Sequence, residues 1–288
     1  MAAAKKKTQK FSRSLQVILL ILALIFAFAL FWLSSILLEY HKGDAEYNDI
    51  LSHMEEIEVT LPAEDDSNII EEADEAMAET DPGSLEQGAE NITDDSGSST
   101  PTRISLTVPD FDYLRSINSD VIGWVQIPGT PINYPIVQGS DNEYYLTHTF
   151  YGEENSSGAI YLDANIEDGL DDKNPIIYGH NLKSGKMFSR LNRYTRQSFW
   201  DTNRYVYITT EEGIRVYEVF SAYIAPPDMG VWQYGFGEDE NFQAYIDRVM
   251  SYSVFDAGIS VTAEDDIITL STCANHVENR FVVHAKRI

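Results

Sequence analysis

The sequence predicts a mainly β domain of eight strands, closed as a barrel or stacked as a sandwich. It adds a lead-in helix, an extra helix before the penultimate strand and an N-terminal transmembrane helix. Three observations carry this. Eight short apolar runs, at 121–127, 132–137, 158–162, 175–178, 204–209, 213–225, 267–273 and 280–287, are separated by Gly, Pro, Asn and Asp clusters, the spacing of an all-β fold. Leu15 to Leu38 runs for 24 residues without a charge. Phe242, Tyr245, Ile246, Val249 and Met250 recur at helical spacing and give one apolar stripe for docking on strands.

Residues 1–14 hold Lys5, Lys6, Lys7, Lys10 and Arg13 and no acid. As a helix, the 24 residues that follow rise roughly 36 Å, enough to cross a ~30 Å hydrocarbon core. The run is too long for a signal-peptide core and shows no small-x-small cleavage site before Glu39, so it reads as a retained anchor. The basic flank belongs in the cytoplasm by the positive-inside rule, which puts the chain after residue 38 outside the cell. A buried core helix does not fit that charge asymmetry.

Residues 39–108 read as an acidic, largely disordered extracellular linker. Residues 39–100 hold 20 acids and one base, Lys42, which is net −19 of the chain's −26. From residue 61 there is too little apolar matter to offset ordering entropy. Before it, Tyr47, Ile50, Leu51, Met54, Ile57 and Leu61 suggest a short amphipathic helix. A solvated spacer that gives reach is favoured over a partner-binding acidic tail. Residues 109–288 then form one domain, and the stretch 101–288 has net charge −12, with no basic patch for nucleic acid.

That domain opens with a lead-in helix over Phe111, Leu114 and Ile117, capped by Asp110. Two further helices are expected, from about Met187 to Trp200 and from about Glu240 to Ser253. The strand Ile267 to Cys273 puts Ile268, Leu270 and Thr272 on one face and Thr269, Ser271 and Cys273 on the other, more polar one. If it pairs as a hairpin with the run from Arg280, Cys273 and Arg280 stand opposite each other on one face. A guanidinium there favours the thiolate and offers donors to an oxyanion.

Cys273 is the only cysteine in the chain, so it is either a small buried hydrophobe or a reactive thiol. A nucleophile needs an acid–base partner. His41 and His53 fall in the spacer, His284 within the last strand and His148 in an aromatic-rich stretch where a structural histidine is the default. Spacing leaves two, His180 at the end of an apolar strand and His276 three residues after the cysteine.

A resemblance separates them. Thr269-Leu270-Ser271-Thr272-Cys273 with Arg280 downstream, and Tyr178-Gly179-His180-Asn181 upstream, resemble the catalytic signatures of sortases. Gly123-Trp124, Tyr134-Pro135-Ile136-Val137-Gln138, Tyr145-Leu146-Thr147-His148, Phe150-Tyr151-Gly152 and Gly185-Lys186-Met187-Phe188-Ser189 are similar to class B members in particular. The likeness spans about 109–288.

It implies a closed eight-stranded sortase-type β-barrel and a cysteine transpeptidase. Cys273 would attack the Thr carbonyl of a sorting-signal peptide of the Asn-Pro-x-Thr type. His180 would protonate the leaving amine, and Arg280 would hold substrate and oxyanion. The thioester would pass to a cell-wall precursor amine. In this family only the minor thiolate–imidazolium form of the pair is active, with no third residue needed to orient the histidine. By motif position, Asn142, Leu146, Tyr178, Ser271 and Thr272 would line the peptide groove. The loop from Cys273 to Arg280 is shorter than in some class B members, which alters one groove wall. Class A sortases can use Ca²⁺, but the acids here read as solvated surface, and no metal or cofactor is expected. Pilin polymerisation, a secreted cysteine peptidase and a tethered, non-catalytic β-barrel binding module are the competing functions.

Overall fold

The computed structural model describes residues 13–60, 103–273 and 279–288. Helix α1 spans Arg13–Ser52 without a break. Its apolar part is exposed on all sides, with Phe26, Phe28, Phe31, Trp32 and Leu38 each 65–73% accessible. It is the one helix among the described residues long and apolar enough to cross a membrane.

The C-terminal end of α1 leaves the apolar run and packs on the rest of the domain. Ile50 is fully buried beside Leu114, Trp124 and Tyr145. Around it Lys42 pairs with Glu153 at 2.8 Å and Asp44 with Lys186, Tyr47 Oη donates to Gly158 O at 3.2 Å, and Tyr151 Oη donates to Asp49 Oδ2 at 2.7 Å. This corrects the amphipathic helix expected near residues 47–61. Helix ends at Ser52, and Ile57 lies in strand β1 (Glu55–Thr60). Residues 39–52, expected within the linker, are packed helix because Tyr47, Ile50 and Leu51 bury an apolar stripe.

Strand β1 pairs with β2 (Arg103–Val108) in a two-stranded sheet, which belongs to a compact unit separate from the rest of the chain. Chain entering through β1 therefore returns through β2. The acidic run between them, where disorder was expected, lies outside the described residues.

The lead-in helix is α2 (Phe111–Ile117), and Asp110 caps it by accepting from Tyr113 N at 3.0 Å. Eight strands follow: β3 (Val121–Gln126), β4 (Asn133–Val137), β5 (Ile160–Leu162), β6 (Ile176–Tyr178), β7 (Tyr205–Thr210), β8 (Gly213–Ala225), β9 (Ile267–Cys273) and β10 (Arg280–Arg287). They close into a barrel in the order β10-β8-β7-β3-β4-β5-β6-β9, parallel at β4–β5 and β6–β9 and antiparallel elsewhere. Each expected apolar run holds one of these strands, so the barrel alternative is the correct one.

The barrel is filled by Val125, Ile136, Ile160, Ile177, Val206, Val219, Leu270 and Val283, all fully buried. Phe188, Leu191 and Tyr194 join them, and their spacing of three explains a second correction. After the one-turn helix α3 (Tyr144–Thr147), where one helix was expected near 187–200, the chain forms a 3₁₀ helix (Phe188–Thr195), an extended Arg196, and α4 (Gln197–Thr202). Positions i and i+3 eclipse in a 3₁₀ helix, which aims all three side chains into the barrel.

Helix α5 (Asp239–Ser251) buries Phe242, Tyr245, Ile246 and Val249 against Phe220, Tyr223, Ile267 and Val282 on the outside of the sheet. The more polar face of β9 is therefore covered from outside. Thr269 is fully buried and Ser271 is 1% accessible.

Candidate active site

Strand β9 runs between β6 and β10. On one side it pairs antiparallel with β10, and Cys273 stands opposite Arg280. On the other it pairs parallel with β6, with Tyr178 opposite Ser271. Gly179 N donates to Ser271 O at 3.2 Å, which carries the register beyond the end of β6. Two residues beyond Tyr178 and Ser271 stand His180, in the loop after β6, and Cys273, the last residue of β9. Positions 273 and 280 are thus paired on neighbouring strands, and the loop that holds His180 leaves β6 at the same end of β9. The hairpin pairing expected for Cys273 and Arg280 is the one observed. His276 lies outside the described residues.

The local sequence holds His180 closely. Gly179 must be small, since a Cβ there would lie 2.4 Å from Ile160 Cδ1 and 2.8 Å from the Phe188 ring. Phe188 N donates to His180 O at 3.0 Å and ties down the backbone. The His180 ring has its Nε2 at 2.8 Å from Leu146 O. A carbonyl oxygen only accepts, so Nε2 carries the hydrogen in this contact. Leu146, expected to line a groove, thus also orients the histidine through its main chain, and its side chain is 39% accessible. Gly158 packs beneath the pair at φ +59°, where a Cβ would lie 2.5 Å from Tyr145 O and 3.0 Å from both His180 Cδ2 and Leu146 O.

Asn142 and Tyr178 meet through a residue the sequence reading did not single out, Asp163. Tyr178 Oη donates to Asp163 Oδ2 at 3.0 Å, and Asn142 Nδ2 donates to Oδ1 at 3.0 Å. Burial works to raise the Asp163 pKa, but hydrogen bonds from Asn142, Asn165 and Tyr178 outweigh it and hold the carboxylate below its usual range. Burial first, then the Asp163 charge, pushes the Tyr178 hydroxyl far up, so it remains a neutral donor to Asp163. Tyr178 also packs on Tyr161, ring centroids 5.3 Å apart.

The other two expected groove residues are buried. Ser271 Oγ accepts from Trp232 Nε1 at 3.0 Å. Thr272 pairs with inward-facing Phe281, is 2% accessible and has an Oγ1 without a hydrogen-bond partner. It is set apart from the face that Tyr178 and Ser271 share. Trp232 belongs to a segment held at two more points, by Tyr245 Oη of α5 donating to Val231 O at 2.7 Å and Asn174 Nδ2, just before β6, donating to Gln233 O at 2.8 Å.

Of the remaining histidines, His148 bonds Tyr144 O through Nδ1 at 2.9 Å and stacks on the Tyr144 ring, the structural role expected for it. His284 is fully buried between Tyr223 Oη at 2.8 Å and Thr269 Oγ1 at 2.9 Å. Among the described residues, no group of three or more His, Cys, Asp or Glu is placed to hold a metal.

A family model for the sortase domain matches residues 125–288. Sortase B of Staphylococcus aureus (strain NCTC 8325) is 34% identical over 183 residues, 62% of this chain and 75% of that protein. Sortase B of Listeria monocytogenes is 36% identical over 180 residues, 61% of this chain and 72% of that one. The X-ray structure of Clostridium perfringens sortase B matches with a TM-score of 0.59 at 34% identity, over 62% of this chain and 100% of that chain. The matched region contains strands β4 to β10 and residues His180, Cys273 and Arg280, and the chain belongs to the sortase family as a sortase B-like cysteine transpeptidase.

Proposed function

We propose that this transpeptidase works from the cell membrane, held by residues 15–38, with residues 1–14 in the cytoplasm and the catalytic domain, 109–288, outside. Cys273 is the nucleophile, His180 the acid–base partner and Arg280 the oxyanion and substrate clamp. The observation that supports this reading is the pairing of Cys273 with Arg280 on β9 and β10, with β6, the strand that leads into His180, on the other side of β9.

The chemistry follows from what each group supplies. The Cys273 thiolate adds to the Thr carbonyl of a sorting signal of the Asn-Pro-x-Thr type. Negative charge develops on the carbonyl oxygen, where the guanidinium is worth most. The C–N bond breaks as His180 delivers a proton to the leaving amine, leaving a thioester. An incoming cell-wall amine gives its proton to His180, attacks the thioester, and releases the thiolate. Asn142, Leu146 and Tyr178 line the peptide groove, with Ser271 and Thr272 contributing through the backbone of β9.

The test is full-length protein in detergent with a labelled sorting peptide and a choice of amines. Cleavage after Thr and ligation to a short peptide bearing a free N-terminal amine are expected. Transfer to a pilin lysine alone would replace wall anchoring with pilin assembly. No cleavage across a broad panel of sorting motifs would overturn the reading.

A further inference from the structure

Asp163 directly follows β5, and its side chain is 6% accessible. It accepts four hydrogen bonds, from Asn142 Nδ2, Asn165 N, Asn165 Nδ2 and Tyr178 Oη, at 2.8–3.0 Å. All four donors are neutral. A carboxylate that only closed its own turn would need the Asn165 N–H alone. The bonds to Asn142 and Tyr178 reach two separate segments, one ending two residues before His180 and the other four residues before Leu146.

These bonds dictate which hydrogens the groove has left to offer. A carboxylate accepts and does not donate, so Tyr178 gives its only hydroxyl hydrogen to Asp163 and can offer a further partner only its oxygen as an acceptor. Asn142 Oδ1 is taken by Ala164 N at 2.8 Å, and one Nδ2 hydrogen by Asp163. Its second Nδ2 hydrogen remains. The peptide therefore meets one N–H and one acceptor oxygen, above a buried negative charge.

We propose that Asp163 is a positioning and specificity-determining residue, which orients Asn142 and Tyr178 so that the groove selects peptides with a neutral amide side chain over the matching carboxylate. An amide offers both an acceptor and a donor to this pair. A carboxylate leaves the Tyr178 oxygen unmatched and faces the Asp163 charge, the kind of mismatch that specificity exploits. The inference rests on the groove reading given above.

The experiment measures kcat and KM of the full-length enzyme and Asp163→Asn on an Asn-Pro-x-Thr-type peptide and its Asp-Pro-x-Thr counterpart. Wild type is expected to prefer the amide by about tenfold or more, and Asp163→Asn to narrow this to about threefold or less, with the loss on the amide peptide mainly in KM. Tyr178→Phe keeps the carboxylate and its turn, and it too should narrow the preference. In that background Asp163→Asn should add little, because the two act as one unit. An unchanged preference in Asp163→Asn overturns the inference. If that variant does not fold, an unchanged preference in Tyr178→Phe overturns it instead. Wild-type enzyme that cleaves neither peptide would sink the groove reading and this inference together, whereas wild-type cleavage with unaltered variants sinks the inference alone.

Discussion

Gly158→Ala places one methyl group beneath the His180–Leu146 contact. Two costs can be separated. Alanine at φ +59° pays a left-handed backbone penalty of about 1–2 kcal/mol. The methyl also meets Tyr145 O at 2.5 Å and Leu146 O and His180 Cδ2 at 3.0 Å. Backbone carbonyls do not swing aside as a side-chain tip does, so overpacking adds about 1–3 kcal/mol.

Gly169 is the matching control, with φ +62° and nothing within 4 Å of a Cβ. Gly169→Ala should lower Tm by about 2–8 °C from strain alone, and Gly158→Ala by roughly 4–20 °C. Only Gly158→Ala shifts the histidine. A displacement approaching 1 Å costs on the order of 10²-fold in rate, so the methyl should slow peptide cleavage by about 10- to 100-fold while Gly169→Ala leaves it near wild type. The assay is peptide cleavage below the Tm of both variants. Equal activity in the two would refute the idea that Gly158 lets Leu146 O hold His180.

Three further outcomes are expected. Burial lowers the His284 pKa from its ordinary 6.5 to about 3, so the unfolded chain binds a proton in that window and the folded one does not. Stability is fully present above pH 6.5 and falls as pH drops toward 3, by up to about 1.4 kcal/mol per unit, and thermal melts of His284→Gln between pH 4 and 7 should show a shallower slope. Ile246→Ala removes a fully buried side chain from the α5 stripe and should cost about 2–5 kcal/mol in urea titrations, with kcat largely kept. Arg280→Lys retains charge but loses the guanidinium fork, and cleavage should fall by about 10²–10³-fold; a loss under about threefold would count against the clamp.

Legibility in the sequence followed the range of the interaction. Each barrel strand could be found because apolar runs and turn residues are local signals, and the Cys273–Arg280 pairing followed once one hairpin was assumed. The 3₁₀ helix at 188–195 escaped because Phe188, Leu191 and Tyr194 fit a period of three and of 3.6 almost equally over so short a run. The end of α1 was misjudged for another reason. Tyr47, Ile50 and Leu51 gave the right stripe, but the switch to strand at Glu55 depends on pairing with residues beyond 100. The polar alternation of Thr269 and Ser271 suggested exposure, yet α5 and Trp232 cover both. Asp163 and Gly158 gave no usable sign, because their roles exist only through Asn142, Tyr178 and Leu146, which lie 12 to 21 residues away in the chain.

The most direct measurement is intact-protein and peptide-level mass spectrometry of the full-length chain, acid-quenched during turnover of a sorting peptide. The account predicts a mass gain equal to the N-terminal cleavage fragment, mapped to Cys273, absent in Cys273→Ala and much slower to form in His180→Ala. Efficient cleavage of the peptide with Cys273 unmodified at every time point would contradict it.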